Sequence, residues 1–294
     1  MKKNDDSSQK DTIPCSISQE MKNLIEDYAN NLKSSAFMVP GHGLTETEFH
    51  ESGLFRAAIE RLRGQQAASM GKKKEFIQQV LDALQKNGKI ESWSFEGASD
   101  RHDYCVRMEG GWTSIIEAKG GLDGNNTNIF KRPKNADEFV IWSLSQNPGT
   151  DPKKSTWSGI HTRLGAEIVA NSQRIDGLIV WDMLCGTKAR PCPKIKGQLR
   201  GKGTKTKPNF PPPCIYLFPR TIPEVKNNPA PASNRIQDVR LLKCLHDFFG
   251  GRNEDLTYVK IEVRNGLTMT ERKTTLIRNY IEVAKSPWTK IRRA

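Results

Sequence analysis

Two carboxylates and a lysine on a predicted β-hairpin have the residue types that metal-assisted hydrolysis requires. From Asp103 to Met108 polar and apolar residues alternate, which predicts a half-buried strand. A second strand is predicted from Trp112, and Glu109-Gly110-Gly111 supplies the glycines of a tight loop. If these three residues form the loop, Met108 faces Trp112 and Asp103 falls opposite Glu117.

Opposed carboxylates of this kind predict a cation site. Directly opposed side chains on one sheet face have Cβ atoms roughly 4.5–5.5 Å apart, so Asp103 and Glu117 can share one cation. Without a cation the two charges repel each other unless one acid is protonated. Mg²⁺, completed by water and substrate phosphate, fits such oxygen ligands. Lys119 points the same way as Glu117 and would serve the attacking water or stabilise charge on the phosphate. The predicted chemistry is metal-assisted phosphodiester hydrolysis.

The short pattern of an acid, any residue and lysine is not unique to this hairpin. It occurs at Glu117 to Lys119, Asp151 to Lys153, Glu224 to Lys226 and Glu271 to Lys273. The second and third copies lie in proline-containing loops, and Glu271 is predicted to open a helix because Thr268 and Glu271 have the spacing of a capping box. Only Glu117 follows a predicted strand that carries an acid. The alternative is that Asp103, Glu117 and Lys119 form an ordinary ion pair on a solvated sheet face.

Asp103, thirteen intervening residues and Glu117-Ala-Lys119 resemble the PD-(D/E)XK nuclease superfamily, and with the chain's size they look most like a type II restriction endonuclease. This resemblance implies that Asp103 and Glu117 bind Mg²⁺ and that Lys119 is the catalytic lysine. It further implies sequence-specific cleavage of double-stranded DNA to 5′-phosphate ends, by a homodimer that matches a palindromic site. His102 stands where the family motif has proline.

A helix ahead of the first active-site strand often contributes an acid in this family, and Glu75 is the candidate. The alternative is that Glu75 only interacts favourably with the helix dipole.

The charge of the chain indicates a polyanionic partner. Forty-six basic and thirty-three acidic residues give a formal net charge of +13 and a pI near 9.5, as expected of a nucleic-acid binder. Between Thr187 and Lys207 the chain carries eight basic residues and no acid. Glycines in this run predict a mobile arm that DNA would order, although a solvated charge run is the alternative. The predicted DNA contacts are Lys188, Arg190, Lys194, Lys196, Arg200 and Lys202. Lysines would track phosphates, and Arg190 or Arg200 could read guanine.

The predicted fold class is α/β, with a mixed central β-sheet flanked by helices, similar to the restriction-endonuclease fold. Residues 1–17 are predicted to be disordered or extended, and 18–294 to form one nuclease domain with a helical N-terminal part (18–88) and the basic arm (187–207). Helices are predicted at 18–31, from 45 onward, and at 72–86, 159–172, 234–249 and 268–284. Further strands are predicted at 90–95, 139–144, 176–183, 214–218 and 258–263.

No apolar run has transmembrane length and the polar start does not resemble a signal peptide, so we expect a cytoplasmic protein that does not associate with membranes. Two other functions fit the same residues. One is a repair or recombination nuclease of the same fold that recognises DNA structure instead of sequence. The other is a non-catalytic, basic nucleic-acid-binding protein whose arm provides the function.

Overall fold

The computed structural model describes most of the chain. The described residues are 17–34, 40–63, 70–96, 103–119, 129, 131–145, 160–188, 190–195, 199–201, 203–204, 206–227 and 229–291. The prediction of a disordered or extended N-terminus for 1–17 therefore lies outside the described residues, except at Ile17, which is buried.

Helices and strands alternate along much of the chain. The helices are α1 (Gln19–Ser34), α2 (Glu46–Ser52), α3 (Leu54–Arg63), α4 (Met70–Lys86), α5 (Gly165–Ala170) and α6 (Arg240–Phe248). A π-helical turn, Ile160–Leu164, leads directly into α5. The strands are β1 (Ser92–Phe95), β2 (Tyr104–Met108), β3 (Trp112–Lys119), β4 (Glu138–Ser145), β5 (Gly177–Asp182), β6 (Cys214–Leu217), β7 (Thr257–Asn265), β8 (Thr270–Arg278), β9 (Ile281–Lys285) and β10 (Thr289–Lys290).

The ten strands of the described residues belong to one mixed sheet. Its order is β1-β2-β3-β4-β5-β6-β7-β8-β10, and β9 also pairs with β8. The centre is parallel from β3 through β4 to β5, and β6 is parallel to β7. The other pairings are antiparallel. The prediction of a mixed α/β architecture is thus confirmed.

Residue types explain why β4 and β5 form the middle of the sheet. Every residue of both strands is buried, as expected of parallel strands covered on two faces. One face packs against the π-helical turn and α5, in a core that includes Ile141, Leu164 and Ile168. The opposite face packs against α4 and α6, in a core that includes Trp142 and Leu242. Helices on both faces hold the carboxyl ends of β3, β4 and β5 in place.

The first three helices have a small core of their own, which includes Tyr28, Leu54 and Ala58. The capping box predicted at the start of α2 is present, because the Thr45 hydroxyl accepts from the Glu48 backbone and the Glu48 carboxylate accepts from the Thr45 backbone. The helix α4 does not join this core and packs against the sheet instead. The predicted helical part 18–88 therefore divides between two cores.

The prediction of a helix over 268–284 is wrong. These residues form β8 and β9, joined at Asn279 and Tyr280, which both have left-handed φ angles of 47° and 61°. Two successive left-handed residues are typical of a type I′ turn, whose twist suits a hairpin. β8 pairs with β7 over nine residues. β-branched side chains such as Thr274 favour this pleated strand over a helix. Thr268 and Glu271 therefore do not cap a helix.

Candidate active site

The hairpin of β2 and β3 has the predicted register. Met108 lies opposite Trp112, and Glu109–Gly111 forms the loop between them. Both loop glycines are left-handed, with φ of 73° and 76°, a conformation that a Cβ atom would strain. Continuing the register by one pair beyond β2 places Asp103 opposite Glu117. The sequence was sufficient to predict this register, because the alternation of polar and apolar residues and the position of the glycines indicate the same hairpin.

Asp103 is fixed against the neighbouring strand by its own carboxylate. Its Oδ2 accepts a hydrogen bond of 2.7 Å from the backbone N–H of Ala118, and its backbone N–H donates to the carbonyl of Ile116 at 3.2 Å. The carboxylate is half-buried. Among the described residues no donor reaches its Oδ1, which leaves this oxygen available to a ligand.

Glu117 and Lys119 form an ion pair on the same face of β3. The Lys119 ammonium lies 2.5 Å from Oε1 of Glu117, whose side chain is 1% exposed, while that of Lys119 is 18% exposed. Glu117 is thus the innermost charge of the group. Lys119 ends β3 and lies opposite Ser143 of the parallel strand β4. Ligand sites in open α/β sheets lie outside the carboxyl ends of the strands, which is where this group lies.

A second lysine approaches this group from α4. Lys73 is 7% exposed. Burial lowers the pKa of its ammonium, the Asp103 carboxylate opposes that shift, and the Lys119 ammonium adds to it. Lys73 is therefore within electrostatic reach of both residues. Glu75, the candidate acid of this helix, is instead exposed and accepts a long hydrogen bond of 3.4 Å from Gln79.

The role of Lys73 was not predicted, although the sequence contains a signal for it. Lys73 precedes Ile77, Val80 and Leu84 at helical spacing, so it continues the apolar stripe of α4. A lysine at a core position of an amphipathic helix requires a charged partner nearby. That partner group is the end of the hairpin.

Three basic residues of the predicted arm, Arg190, Lys194 and Arg200, contact the rest of the fold. Arg190 is fully buried, forms a short ion pair with Asp182 and donates to the Ser145 hydroxyl at 3.0 Å. Burial raises the pKa of Asp182, and the Arg190 charge and hydrogen bonds oppose this shift. The prediction that Arg190 contacts DNA is therefore corrected, since its guanidinium is occupied at the ends of β4 and β5.

Lys194 and Arg200 also contact the protein itself. The Lys194 ammonium donates to the carbonyls of Pro212 and Pro213 at 3.1 and 3.0 Å. Arg200 donates to the Met183 carbonyl and its guanidinium lies 4.3 Å from the centre of the Phe210 ring. Both side chains contact the protein at these positions, and the mobility of the arm stays a prediction.

Of the other predicted DNA contacts, Lys188 is exposed, as a phosphate contact requires. Lys196 and Lys202 lie outside the described residues. The sequence alone does not distinguish the exposed Lys188 from the anchored Arg190, Lys194 and Arg200. The partners of these three residues lie outside the basic run or are backbone carbonyls.

Searches against known proteins returned no matching family model, curated protein or solved structure. Within the described ranges no three His, Cys, Asp or Glu side chains converge as a ready-made metal site. Nor is any helix in those ranges long and apolar enough to cross a membrane.

Proposed function

We propose that the chain is a Mg²⁺-dependent DNA endonuclease that works in the manner of the PD-(D/E)XK nucleases, with a sheet of the restriction-endonuclease type. One observation carries the proposal. The hairpin register sets Asp103 opposite Glu117 and puts Lys119 on the same face, at the carboxyl end of a parallel strand. Opposed carboxylates are unfavourable in a purely structural pair and favourable around a cation.

The residues present fit a hard divalent ion with few protein ligands. Asp103 and Glu117 would hold it, and because no third acid joins them among the described residues, water and substrate phosphate would complete its shell. Such an ion would neutralise charge on the phosphate and make a bound water more acidic.

Lys119 would then exchange partners. Its ammonium now neutralises Glu117, and a cation between Asp103 and Glu117 would take over that role. Released from the carboxylate, the ammonium could orient the attacking water or stabilise the negative charge that develops on the phosphate. The Lys73 side chain would lie within electrostatic reach of Asp103.

The proposed substrate is double-stranded DNA. A net charge of +13 favours a polyanion, whose condensed counterions are released on binding. We include in the proposal the finer features of type II restriction enzymes, namely cleavage at a specific sequence, 5′-phosphate products and a homodimer in which each site cuts one strand. A structure-specific nuclease of the same fold would instead prefer branched or damaged duplexes.

One observation favours a second function, that of a non-catalytic nucleic-acid-binding protein. The ion pair of 2.5 Å between Glu117 and Lys119 neutralises the buried acid without any metal. If this pair is only structural, the protein binds DNA in a salt-dependent manner and leaves it intact.

The test is incubation of the purified protein with phage DNA in Mg²⁺ and in EDTA. We expect discrete fragments in Mg²⁺ only, and none from Lys119→Ala. Lys273→Ala is the matched control, because Lys273 also follows a glutamate by two positions on a strand. Intact DNA in Mg²⁺ despite binding would overturn the nuclease proposal in favour of the second function, and preferential cutting of branched DNA would favour the structure-specific enzyme.

A further inference from the structure

A cleft of about 790 Å³ lies between α4 and the described residues of the segment 183–210, apart from the proposed catalytic group. One wall is a stripe of α4 that carries Gln79, Asp82 and Lys86. The other wall includes Arg200, Asn209 and Phe210. This volume is in the range of small-molecule sites, and it exceeds what a single ion needs.

The walls of the cleft are held in place from both sides. The Asn87 side chain at the end of α4 donates to the carbonyl of Thr206, which joins the two walls. Phe210 packs against Phe76 and Trp181, with ring centres 5.1 and 6.0 Å apart. Arg200 is tied to the Met183 carbonyl. These contacts connect both walls of the cleft to the core of the fold.

The cleft combines a flat platform with groups that match the edge of a nucleobase. The guanidinium of Arg200 lies 4.3 Å over the Phe210 ring, and such planar groups stack with bases. The amides of Gln79 and Asn209 each offer donors and acceptors. The Asn209 amide makes no hydrogen bond to any residue that the structure describes.

The acid in the cleft counts against a phosphate as its main ligand. Asp82 uses Oδ1 to accept from the Trp93 ring N–H at 3.2 Å, and a second carboxylate oxygen remains. A carboxylate repels phosphate, whereas it accepts a hydrogen bond from the exocyclic amine of a base. Lys86 supplies the complementary donor.

The concave shape indicates an unpaired base. Base edges inside a duplex are read by elements that protrude into a groove, while a cleft takes a group that leaves the stack. At 1.5 Å per helical residue, Gln79 lies about 9 Å and Lys86 about 20 Å along α4 from Lys73. The cleft is therefore separate from the group of Asp103, Glu117 and Lys119.

From this geometry we infer that the cleft between α4 and the segment 183–210 binds a single unpaired nucleobase. In DNA, and resting there on the proposed nuclease function, this is a base extruded from the duplex near the phosphate to be cut. The same chemistry would accept the base of a free nucleotide, so the experiment has an arm for each source.

The first arm measures DNA binding in EDTA, where cleavage cannot occur. The full chain is titrated with a fully paired duplex and with duplexes that carry one bulged 2-aminopurine, read by anisotropy and by fluorescence of the bulged base. We expect about tenfold tighter binding of the bulged duplex and a change in its fluorescence. The double substitution Gln79→Ala and Asn209→Ala, both at exposed positions, should reduce this preference to twofold or less.

The matched control is Gln19→Ala with Asn23→Ala, the same two residue types at exposed positions of α1. It should retain the tenfold preference. Equal binding of the bulged and paired duplexes by the wild type, or an undiminished preference in the cleft variant, would overturn the DNA form of the inference.

The second arm titrates the four deoxynucleoside monophosphates and follows the melting temperature. A rise that the Gln79→Ala, Asn209→Ala variant loses would support a nucleobase site even if the bulge has no effect. If neither the bulge nor any mononucleotide acts through the cleft, the inference is wrong. Because neither arm uses Mg²⁺, failure of cleavage in the phage DNA test leaves this result unaffected, and the converse also holds.

Discussion

The strands β3 and β8 each carry a glutamate and a lysine two positions apart, yet their surroundings differ. On β8, Glu271 lies opposite Arg264 of β7, and their side chains form an ion pair of 2.9 Å. Lys273 lies opposite Glu262 and pairs with it at 3.0 Å. Glu271 and Lys273 therefore each face an opposite charge, as in an ordinary surface ladder.

On β3 the partner across the hairpin is another acid. Glu117 faces Asp103, and the only cation on its own strand face, within the described residues, is Lys119. Glu117 is 1% exposed, against 17% for Glu271. The comparison shows that the tripeptide pattern does not distinguish the two strands. The cross-strand partner and the depth of burial do.

Substitution of the acid on the partner strand should affect cleavage very differently at β3 and at β8. Asp103→Asn removes a proposed metal ligand, and we expect the rate of Mg²⁺-dependent cleavage to fall by at least about 10²-fold, because a metal supplies several kcal/mol to such reactions. Glu262→Gln, the corresponding change beside β8, should leave the rate within about twofold. Cleavage of a single DNA substrate under single-turnover conditions measures both. Equal losses of cleavage rate in the two variants would mean that Asp103 has no specific role in cleavage.

Metal-induced stabilisation should distinguish the two glutamates. At a Mg²⁺ concentration of about 100 times its Kd, a ligand that binds only the folded state adds about 2.7 kcal/mol to the free energy of unfolding. Glu117→Gln should abolish this gain and Glu271→Gln should keep it. Urea unfolding with and without Mg²⁺ is the measurement, and a gain that survives in Glu117→Gln would place the metal elsewhere.

The charge group of β3 extends to α4, whereas that of β8 stays on the sheet. Lys73→Met removes a buried ammonium within reach of Asp103 and Lys119, and we expect cleavage to slow by about tenfold, or roughly 1.4 kcal/mol. Lys74→Met is the matched control, since the neighbouring Lys74 is exposed and lies over the Phe95 ring at 3.8 Å. Its rate should be unchanged. Circular dichroism of both variants checks that they fold.

Loss of an ion pair on β8 should have the smallest effect, a change in the free energy of unfolding that depends on pH. Burial acts to raise the pKa of Glu262, but the hydrogen bond from Lys273 and the charges of Lys260 and Lys273 hold it below its usual value of 4.5. A lowered carboxyl pKa stabilises the fold above about pH 4.5, and this contribution is lost as the pH falls through the folded-state pKa.

Lys273→Ala should therefore lower the free energy of unfolding by about 0.2–1 kcal/mol at pH 7, and the difference from the wild type should narrow below pH 4.5. Urea unfolding across this pH range provides the measurement. A difference that widens in acid would contradict the assigned role of the pair.

Local patterns predicted the elements whose signals lie within a few residues. The hairpin of β2 and β3 followed from alternation and from the two loop glycines, so its register needed no knowledge of the rest of the fold. The start of α2 followed in the same way from Thr45 and Glu48. The prediction of a mixed α/β architecture rested on such elements in their chain order.

The errors arose where the deciding partner lies outside the stretch of sequence that carries the pattern. The β8–β9 hairpin was mistaken for a helix because its turn residues, Asn279 and Tyr280, lack the usual glycine, and because pairing with β7 cannot be seen locally. Arg190 was assigned to DNA because the basic run holds no acid. Its partner Asp182 lies just before that run and is buried at the end of β5.

The anchoring of the segment 183–210 also bears on the thermodynamics of binding. Arg190 ties the described part of this segment to β4 and β5, and Lys194 ties it to the prolines before β6. A surface that is already ordered loses little conformational entropy when a partner arrives. Association at this surface should therefore show the small heat-capacity change of rigid docking, whereas a disordered arm would show the large negative change of coupled folding and binding.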